Sequence, residues 1–353
     1  MSDLSPPTVS FGDINVGDGH PTVVVAEIGT FYNRDMGLAR EYLARAVETG
    51  APVLKTEILH DSDICLRNTG LVHDYKHTSG RTSEDYRALI ERKTVPLRDY
   101  EMLVEVIHDL GLPYLASVYD FAGVDFLARH GACAVKLSRA HVDNVPLIRK
   151  AAQSGLPIVF DAGNVYFSEI AAAVELARRE GAAGVIVNHH PGSNPAPAAA
   201  HNLSRIPMYK SALGVPAGLS CHYRGDEILY AAVGIGANLL EKGVDIDPDR
   251  SEQDVVSAAS FESLEEAVRK VRACWEAIGK SNWNPDEPRN LDNRYALFAR
   301  REIAAGDVFT EENTGFAFPP IGISVASWDE LIGRTAKRKL ARGQSVFWND
   351  VSD

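Results

Sequence analysis

At 353 residues the chain is too long for one ordinary core and long enough for a barrel of about 250 residues with a small partner domain. Hydrophobic residues make up 45% and charged residues 24%, as in a soluble globular protein, and a formal net charge of -12 argues against a nucleic-acid partner, which needs clustered Lys and Arg. Cys65, Cys133, Cys221 and Cys274 lie far apart without a CxxC pair, which excludes a zinc knuckle or disulfide framework and fits reduced thiols in a cytoplasm.

The first residues, MSDLSPPTVSFGD, carry no basic and then apolar signal region, and no apolar run is long enough to span a membrane. The expectation is therefore a cytoplasmic protein with no membrane partner. Along the chain, short runs rich in Val, Ile and Leu alternate with helix-like stretches. The predicted strands are Thr22–Ile28, Pro52–Ile58, Pro113–Tyr119, Ala132–Ser138, Pro157–Asp161, Ala183–Asn188, Ala217–Cys221 and Ala237–Lys242. They are almost continuously apolar, as expected for strands buried on both faces of a parallel sheet.

Helical patterns cover Gly37–Glu48, Ser83–Glu91, Arg98–Leu110, Ser168–Glu180 with Ser168 as N-cap, Asp226–Ile235 and Ser263–Ile278. Eight strands alternating with helices predict an α/β fold, a closed (β/α)8 barrel, with an open doubly wound sheet as the other possibility. No glycine-rich nucleotide fingerprint follows the first strand. The segment 281–293 turns polar and proline-containing and is expected to link a barrel, 1–280, to a small domain, 294–353. That last domain shows short strand-like pieces: Tyr295–Ala299, Val308–Phe309, Gly322–Ser324 and Ser345–Trp348.

In such a barrel the active site lies at the C-terminal ends of the strands. The polar residues expected there are Glu27, Lys55, Glu57, Tyr119, Asp120, Lys136, Arg139, His141, Asp161, Asn188, His189, His190, His222 and Lys242. Charges at the mouth of an apolar barrel are costly unless they meet one another or a ligand. Glu27 with Lys55 could equally be a structural ion pair, and Lys136 an interior one. His189 and His222 end neighbouring strands and are the expected metal pair, with His190 and Cys221 facing the other side. His60, His73 and His77 read as loop residues, and Asp245, Asp247, Asp249 and Arg250 as a solvated loop.

In this order the residues resemble the sialic acid synthase family, whose barrel is followed by a small β-clip domain called SAF or antifreeze-like. The landmarks run from Ala26-Glu27-Ile28-Gly29 with Asn33 and Asp35, through Lys55, Lys136, Asn194-Pro195-Ala196-Pro197 and Gly218-Leu219-Ser220-Cys221-His222, to Glu241-Lys242. In the tail they are Asn293-Arg294, Arg301-Glu302-Ile303, the run Gly306 to Asn313, and Gly322-Ile323-Ser324. The resemblance implies a transferase that joins phosphoenolpyruvate to a sugar aldehyde, forming a C–C bond and a 3-deoxy-2-ulosonic acid. It implies a divalent ion, Mn²⁺ or Mg²⁺, on His189 and His222, and acid/base work by Glu27. Lys55 and Lys136 would hold the donor's carboxylate and phosphate. The family's members are commonly homodimers in which the small domain is swapped over the partner's barrel mouth.

Several positions depart from that pattern. Ala116-Ser117-Val118, Leu137-Ser138-Arg139-Ala140-His141 and Asp161-Ala162-Gly163 replace small hydroxyl-bearing runs or a carboxylate of the family, Glu57 replaces a glutamine, Gly243 a histidine, and Phe318 an arginine. Glu57, Tyr119, Arg139, His141, Asp161, Asn188, Lys242 and Phe318 are accordingly the expected substrate-binding residues. An aspartate at 161 is hostile to phosphate, so a metal-dependent aldolase or lyase without phosphoenolpyruvate is the alternative enzyme. A non-catalytic sugar-binding homologue is the third reading, and five retained strand-end ligands and charges weigh against it.

Overall fold

The computed structural model describes residues 7–279 and 292–352. The chain divides into two compact units, residues 1–279 and 280–353. The linker expected at 281–293 lies almost wholly outside the described residues. In the first unit eight parallel strands close into a barrel. They are β1 (Val23–Gly29), β2 (Val53–Ile58), β3 (Tyr114–Val118), β4 (Ala134–Leu137), β5 (Ile158–Ala162), β6 (Val185–His189), β7 (Ala217–Cys221) and β8 (Leu239–Gly243). β8 pairs with β1 through Glu241 opposite Val25 and Gly243 opposite Glu27, which closes the ring.

Two packed layers follow from strand alternation. Val23, Val25, Val53, Leu115, Ala134, Val159, Ile186 and Leu239 form one apolar cluster inside the barrel. Their neighbours in sequence, such as Val24, Leu54, Val135, Phe160 and Val187, pack outward with the helices. A hairpin of Thr8–Phe11 and Ile14–Gly17 adds Val9, Phe11 and Val16 to the inner cluster. This N-terminal hairpin, unforeseen from the alternation pattern, seals the end of the barrel opposite the site.

A second hairpin was also unforeseen. Val72–His77 and Gly80–Asp85 pair antiparallel where a helix start and loop histidines were expected. His73 and His77 sit on its strands. The following helix runs Tyr86–Lys93, capped by Asp85, whose side chain accepts from Ala88 N at 2.9 Å. The helix expected to start at Ser168 instead runs Phe167–Arg179, with Glu169 accepting from Tyr166 N at 2.6 Å. In the segment after β8, Asp247 and Asp249 are exposed as expected, but Asp245 and Arg250 are not simply solvated. Asp245 is fully buried and binds Arg250 at 2.6 Å and the Tyr42 hydroxyl at 2.7 Å. Among the described residues no helix is long and apolar enough to cross a membrane.

The second unit has its own core of Leu297, Ile303, Phe309, Ile323, Leu340 and Val346 among others. Ala296–Ala299 pairs with Thr314–Ala317, and single bridges join Ala296 to Ser324 and Phe298 to Ser345. Such short strands suit a small domain whose turns carry much of the hydrogen bonding.

Because Phe11 is fully buried in the inner cluster, Phe11→Ala should lower stability by about 3–5 kcal/mol. Urea unfolding of the full chain, followed by tryptophan fluorescence and circular dichroism, measures this.

Candidate active site

The inward register that places Val25, Val53, Leu115, Ala134, Val159, Ile186 and Leu239 inside the barrel also sets the layer above them. Moving two residues along each strand brings Glu27, Lys55, Ser117, Lys136, Asp161, Asn188 and Glu241 to the same face, joined by Ser220 of β7. The apolar plug thus gives way to a polar layer at the strand ends.

Glu241, from β8, is the hub of that layer. Its carboxylate receives Lys136 Nζ at 2.5 and 2.6 Å and lies 3.4 Å from Lys55 Nζ. Lys55 also pairs with Glu27. Lys136 reaches Asp161 Oδ2 at 3.0 Å and Ser220 Oγ at 3.1 Å, and Ser220 donates to Asp161 Oδ1 at 2.6 Å. Burial alone would push Glu241 up, but Lys136 and Lys55 outweigh it and hold its carboxyl down at about 2. Glu27 goes the other way: burial dominates, Lys55 only partly offsets it, Glu241 adds repulsion, and its pKa rises to about 8. For Lys55 and Lys136 burial is overcome by the surrounding carboxylates, and both stay charged.

Two expected site residues face the wrong way. Lys242 neighbours Glu241 in the strand, so it points out of the barrel, where it binds the carbonyls of Tyr223 and, at 3.2 Å, Gly225. His189 neighbours the inward Asn188 and likewise faces outward, its ring 6.3 Å from that of Tyr209 on the covering helix Arg205–Leu213. The inward histidine is His190. Its ring lies 4.5 Å from that of His222, centroid to centroid. Gly163 makes room for it, since a Cβ there would stand 2.8 Å from the His190 side chain. Asn188 is inward and buried, with Nδ2 at 3.4 Å from Ser220 Oγ.

Beside this layer opens a cavity of about 750 Å³. Glu57 and Tyr119 line it, joined by a hydroxyl-to-carboxylate bond of 2.9 Å, together with His141, Lys93 and Asp254. Asn194 donates to Asp254 at 2.9 Å. Lys93 Nζ and His141 Nε2 are buried and make no hydrogen bond, Lys93 Nζ lying 3.5 Å from Glu252 Oε1 as an ion pair. Burial lowers both pKa values. Asn144 donates to His141 Nδ1 at 3.2 Å, so the neutral ring carries its hydrogen on Nε2. Both groups are therefore donors with hydrogens left for oxygen atoms, Lys93 beside its ion pair with Glu252. Arg139 is exposed at the end of β4 and gives one bond, 3.2 Å, to Gly192 O. Phe318 is exposed on the second unit, its ring 6.1 Å from Tyr295.

Among the described residues no group of three or more His, Cys, Asp or Glu side chains is arranged for a metal. The His190–His222 pair nevertheless fits an ion with open positions, since burial first and mutual repulsion next keep His190 neutral, and burial lowers His222. His190 Nδ1 accepts from Gly192 N at 2.8 Å, so coordination through Nε2 requires that bond to open.

A model of the NeuB family matches residues 42–282, and one of the SAF domain matches residues 294–352. The chain belongs to the NeuB family. Among relatives of this NeuB protein, the N,N'-diacetyllegionaminic acid synthase of Campylobacter jejuni is 25% identical over 92% of this chain and 98% of its own. The pseudaminic acid synthase of Helicobacter pylori is 23% identical over 94% and 98%. The crystal structure of N-acetylneuraminic acid synthetase from Leptospira borgpetersenii superposes with a TM-score of 0.72 at 23% identity, covering 80% of this chain and 93% of that one. The fold is thus that of these synthases, and relatives named as synthases of sialic-type sugars point to a C–C bond-forming enzyme.

Glu241, Lys93 and Asp254 were not among the expected site residues. Glu241 was readable from strand alternation, because it precedes Lys242 at the inward position two beyond Leu239. Lys93 and Asp254 come from segments outside the strands and left no periodic signal. Removing one partner from a buried ionic cluster strands the others, so Glu241→Leu should cost about 3–5 kcal/mol in chemical denaturation.

Proposed function

We propose that this NeuB protein joins C3 of a three-carbon carboxylate donor to the aldehyde carbon of a sugar, giving a 3-deoxy-2-ulosonic acid. The observation that carries this is Glu27, a carboxyl able to hold a proton near neutrality, paired with Lys55 at the strand ends where β2 also bears the cavity residue Glu57. The sequence resemblance implies phosphoenolpyruvate as donor, while the condensation itself requires only that C3 be nucleophilic.

The sugar occupies the 750 Å³ cavity. Lys93 and His141 donate to its oxygens, and Glu57 and Asp254 accept from its hydroxyls. As C3 attacks, negative charge grows on the aldehyde oxygen. Glu27 in its acid form delivers a proton there, and the neighbouring Lys55 ammonium stabilises the carboxylate left behind. His190 and His222 would hold Mn²⁺ or Mg²⁺, which when bound supplies a Lewis acid for the same oxygen. A homodimer is the proposed working unit, which light scattering of the purified chain reads directly.

The reading is tested by incubating the chain with a donor, Mg²⁺ and a panel of aldoses, and assaying 3-deoxy-2-ulosonic acids by mass spectrometry. Glu27→Gln should lower turnover by about 10²–10⁴-fold. Since the raised pKa keeps the acid form below about 8, the wild-type rate should fall as pH rises through about 8. Lys93→Met should raise the KM for the sugar by about tenfold with little change in kcat, because it removes binding common to ground and transition states. Calorimetric Mn²⁺ binding should vanish in His190→Ala/His222→Ala and persist in His189→Phe; retention in the former would discard the inward pair.

A further inference from the structure

One wall of the sugar cavity has no regular structure of its own. Residues 66–71 form neither helix nor strand, and all six are exposed. Leu66, Thr69, Gly70 and Leu71 nevertheless line the cavity. Asn68 and Gly70 hold left-handed backbone, with φ of 58° and 66°, so the chain turns sharply on either side of Thr69. Leu66 is 75% exposed and Leu71 52%. Each therefore presents apolar surface to water that an occupant of the cavity can cover. Glu57, Tyr119, Lys93, His141 and Asp254, by contrast, offer that occupant polar atoms.

Both ends of this wall are fastened. Before it, Arg87 grips the turn 62–65, bonding Cys65 O and, at 2.8 Å each, Ser62 Oγ and Asp63. Cys65 is also buried against Leu59 and Ile90. After it comes the hairpin of Val72–His77 and Gly80–Asp85, none of whose residues is buried. A lone hairpin without an apolar face is marginal in water, so polar contacts must hold this one. Its tip supplies them: Thr78 Oγ1 donates to Asp249 O at 2.6 Å, and the Ser79 and Ser251 hydroxyls meet at 2.9 Å. His77 Nδ1 lies 3.2 Å from Ser251 Oγ. Lower down, Glu84 receives Arg92 at 2.9 Å, and Arg92 also binds Glu252 at 2.6 Å. The segment gripped by the tip is itself pinned through Arg250 and Glu252, so the hairpin is latched to a fixed frame.

We propose that residues 66–71 are a flap over the acceptor, strung between the Arg87 clamp and the hairpin latch, and that Leu66 and Leu71 close on the apolar C–H face of the sugar. This rests on the condensation reading, which puts the sugar in this cavity. A sugar ring has hydroxyls at its edge and C–H bonds on its faces, so it suits a site with polar groups in one part and leucines in another. Fixed ends keep the free flap short and limit the order lost when it closes. Thr78 and Ser79 are positioning residues in this scheme: they touch no substrate and act by holding the end of the flap in place.

The latch can be read without knowing the sugar, because the flap carries its own protease site at Arg67, whose side chain is 69% exposed. The full-length chain is treated with trypsin and the fragments are timed by mass spectrometry. Thr78→Val/Ser79→Ala, two changes at exposed positions, should speed cleavage after Arg67 at least about tenfold, while cleavage after Arg129 in the barrel stays at the wild-type rate. Thr78→Ser, which keeps the hydroxyl, should match the wild type. An unchanged rate at Arg67 in the double variant overturns the latch. The leucines are read in the condensation assay: Leu66→Ser/Leu71→Ser should raise the sugar's KM about tenfold with kcat within about twofold, and the unlatched variant should shift KM in the same direction. A wild-type KM in the leucine variant overturns the flap's contact with the sugar and leaves the condensation standing. No turnover of any aldose by the wild type overturns the condensation reading and the flap's part in it, while the trypsin rates still decide the latch.

Discussion

The polar half of this barrel depends on one carboxylate. Glu241 lies buried between Lys136 and Lys55, and through them it ties β8 to β4 and β2 across the barrel interior. Two ammonium groups could not be held out of water at such depth without it, and its own charge could not persist there without them. The remaining members take their states from that arrangement. Asp161 joins because Lys136 has a proton left for it. Glu27, the outermost carboxyl, meets a lysine already shared with Glu241 and is left as the group that can gain a proton. Acid/base capacity at the mouth is in this sense the remainder of a charge balance made below it.

Barrel interiors are ordinarily filled by branched apolar side chains in stacked layers. Here the lower layer follows that rule and is closed beneath by the hairpin bearing Phe11 and Val16. The polar layer rests on it directly. Buried ionic clusters contribute little net stability compared with apolar packing, so the lower layer and the outer helix-facing cluster carry the fold while the upper layer holds the chemistry. The same division explains why the lysines are held so fully: a strand-end ammonium left unpartnered above a dry core would lose its charge.

Much of this was legible from sequence. All eight strands were placed within a residue or two, because buried parallel strands read as unbroken apolar runs. The inward set Glu27, Lys55, Lys136 and Asp161 followed from their places at strand ends. The error at His189 arose at one step of alternation: the side chain's face depends on parity along the strand, and Asn188-His189-His190 offers two histidines of opposite parity. Counting from Ile186, which lies in the inner cluster, identifies His190, and the glycine at 163 marks the space it needs. The same parity separates Glu241 from Lys242. The hairpin at 8–17 was missed because its burial comes from the barrel it lies against, a tertiary effect, and that at 72–85 because its residues are polar or mixed and none is buried.

The pairing of buried Asp245 with half-buried Arg250 bears on how such a protein diverges. Asp245 binds Arg250 and Tyr42, and Arg250 also reaches the carbonyl of Phe31 at 2.6 Å, so the segment leaving β8 is pinned at its base to the first helix and the first barrel loop. A few residues on, Glu252 is held by Arg92 and Asn33, and Gln253 and Asp254 enter the cavity wall. Side chains 253 and 254 thus hang from a frame whose position they do not determine. Exchanges at those two places can alter which sugar is admitted while the backbone that presents them stays put, so this short stretch is where a lineage can change its diet without rebuilding its skeleton.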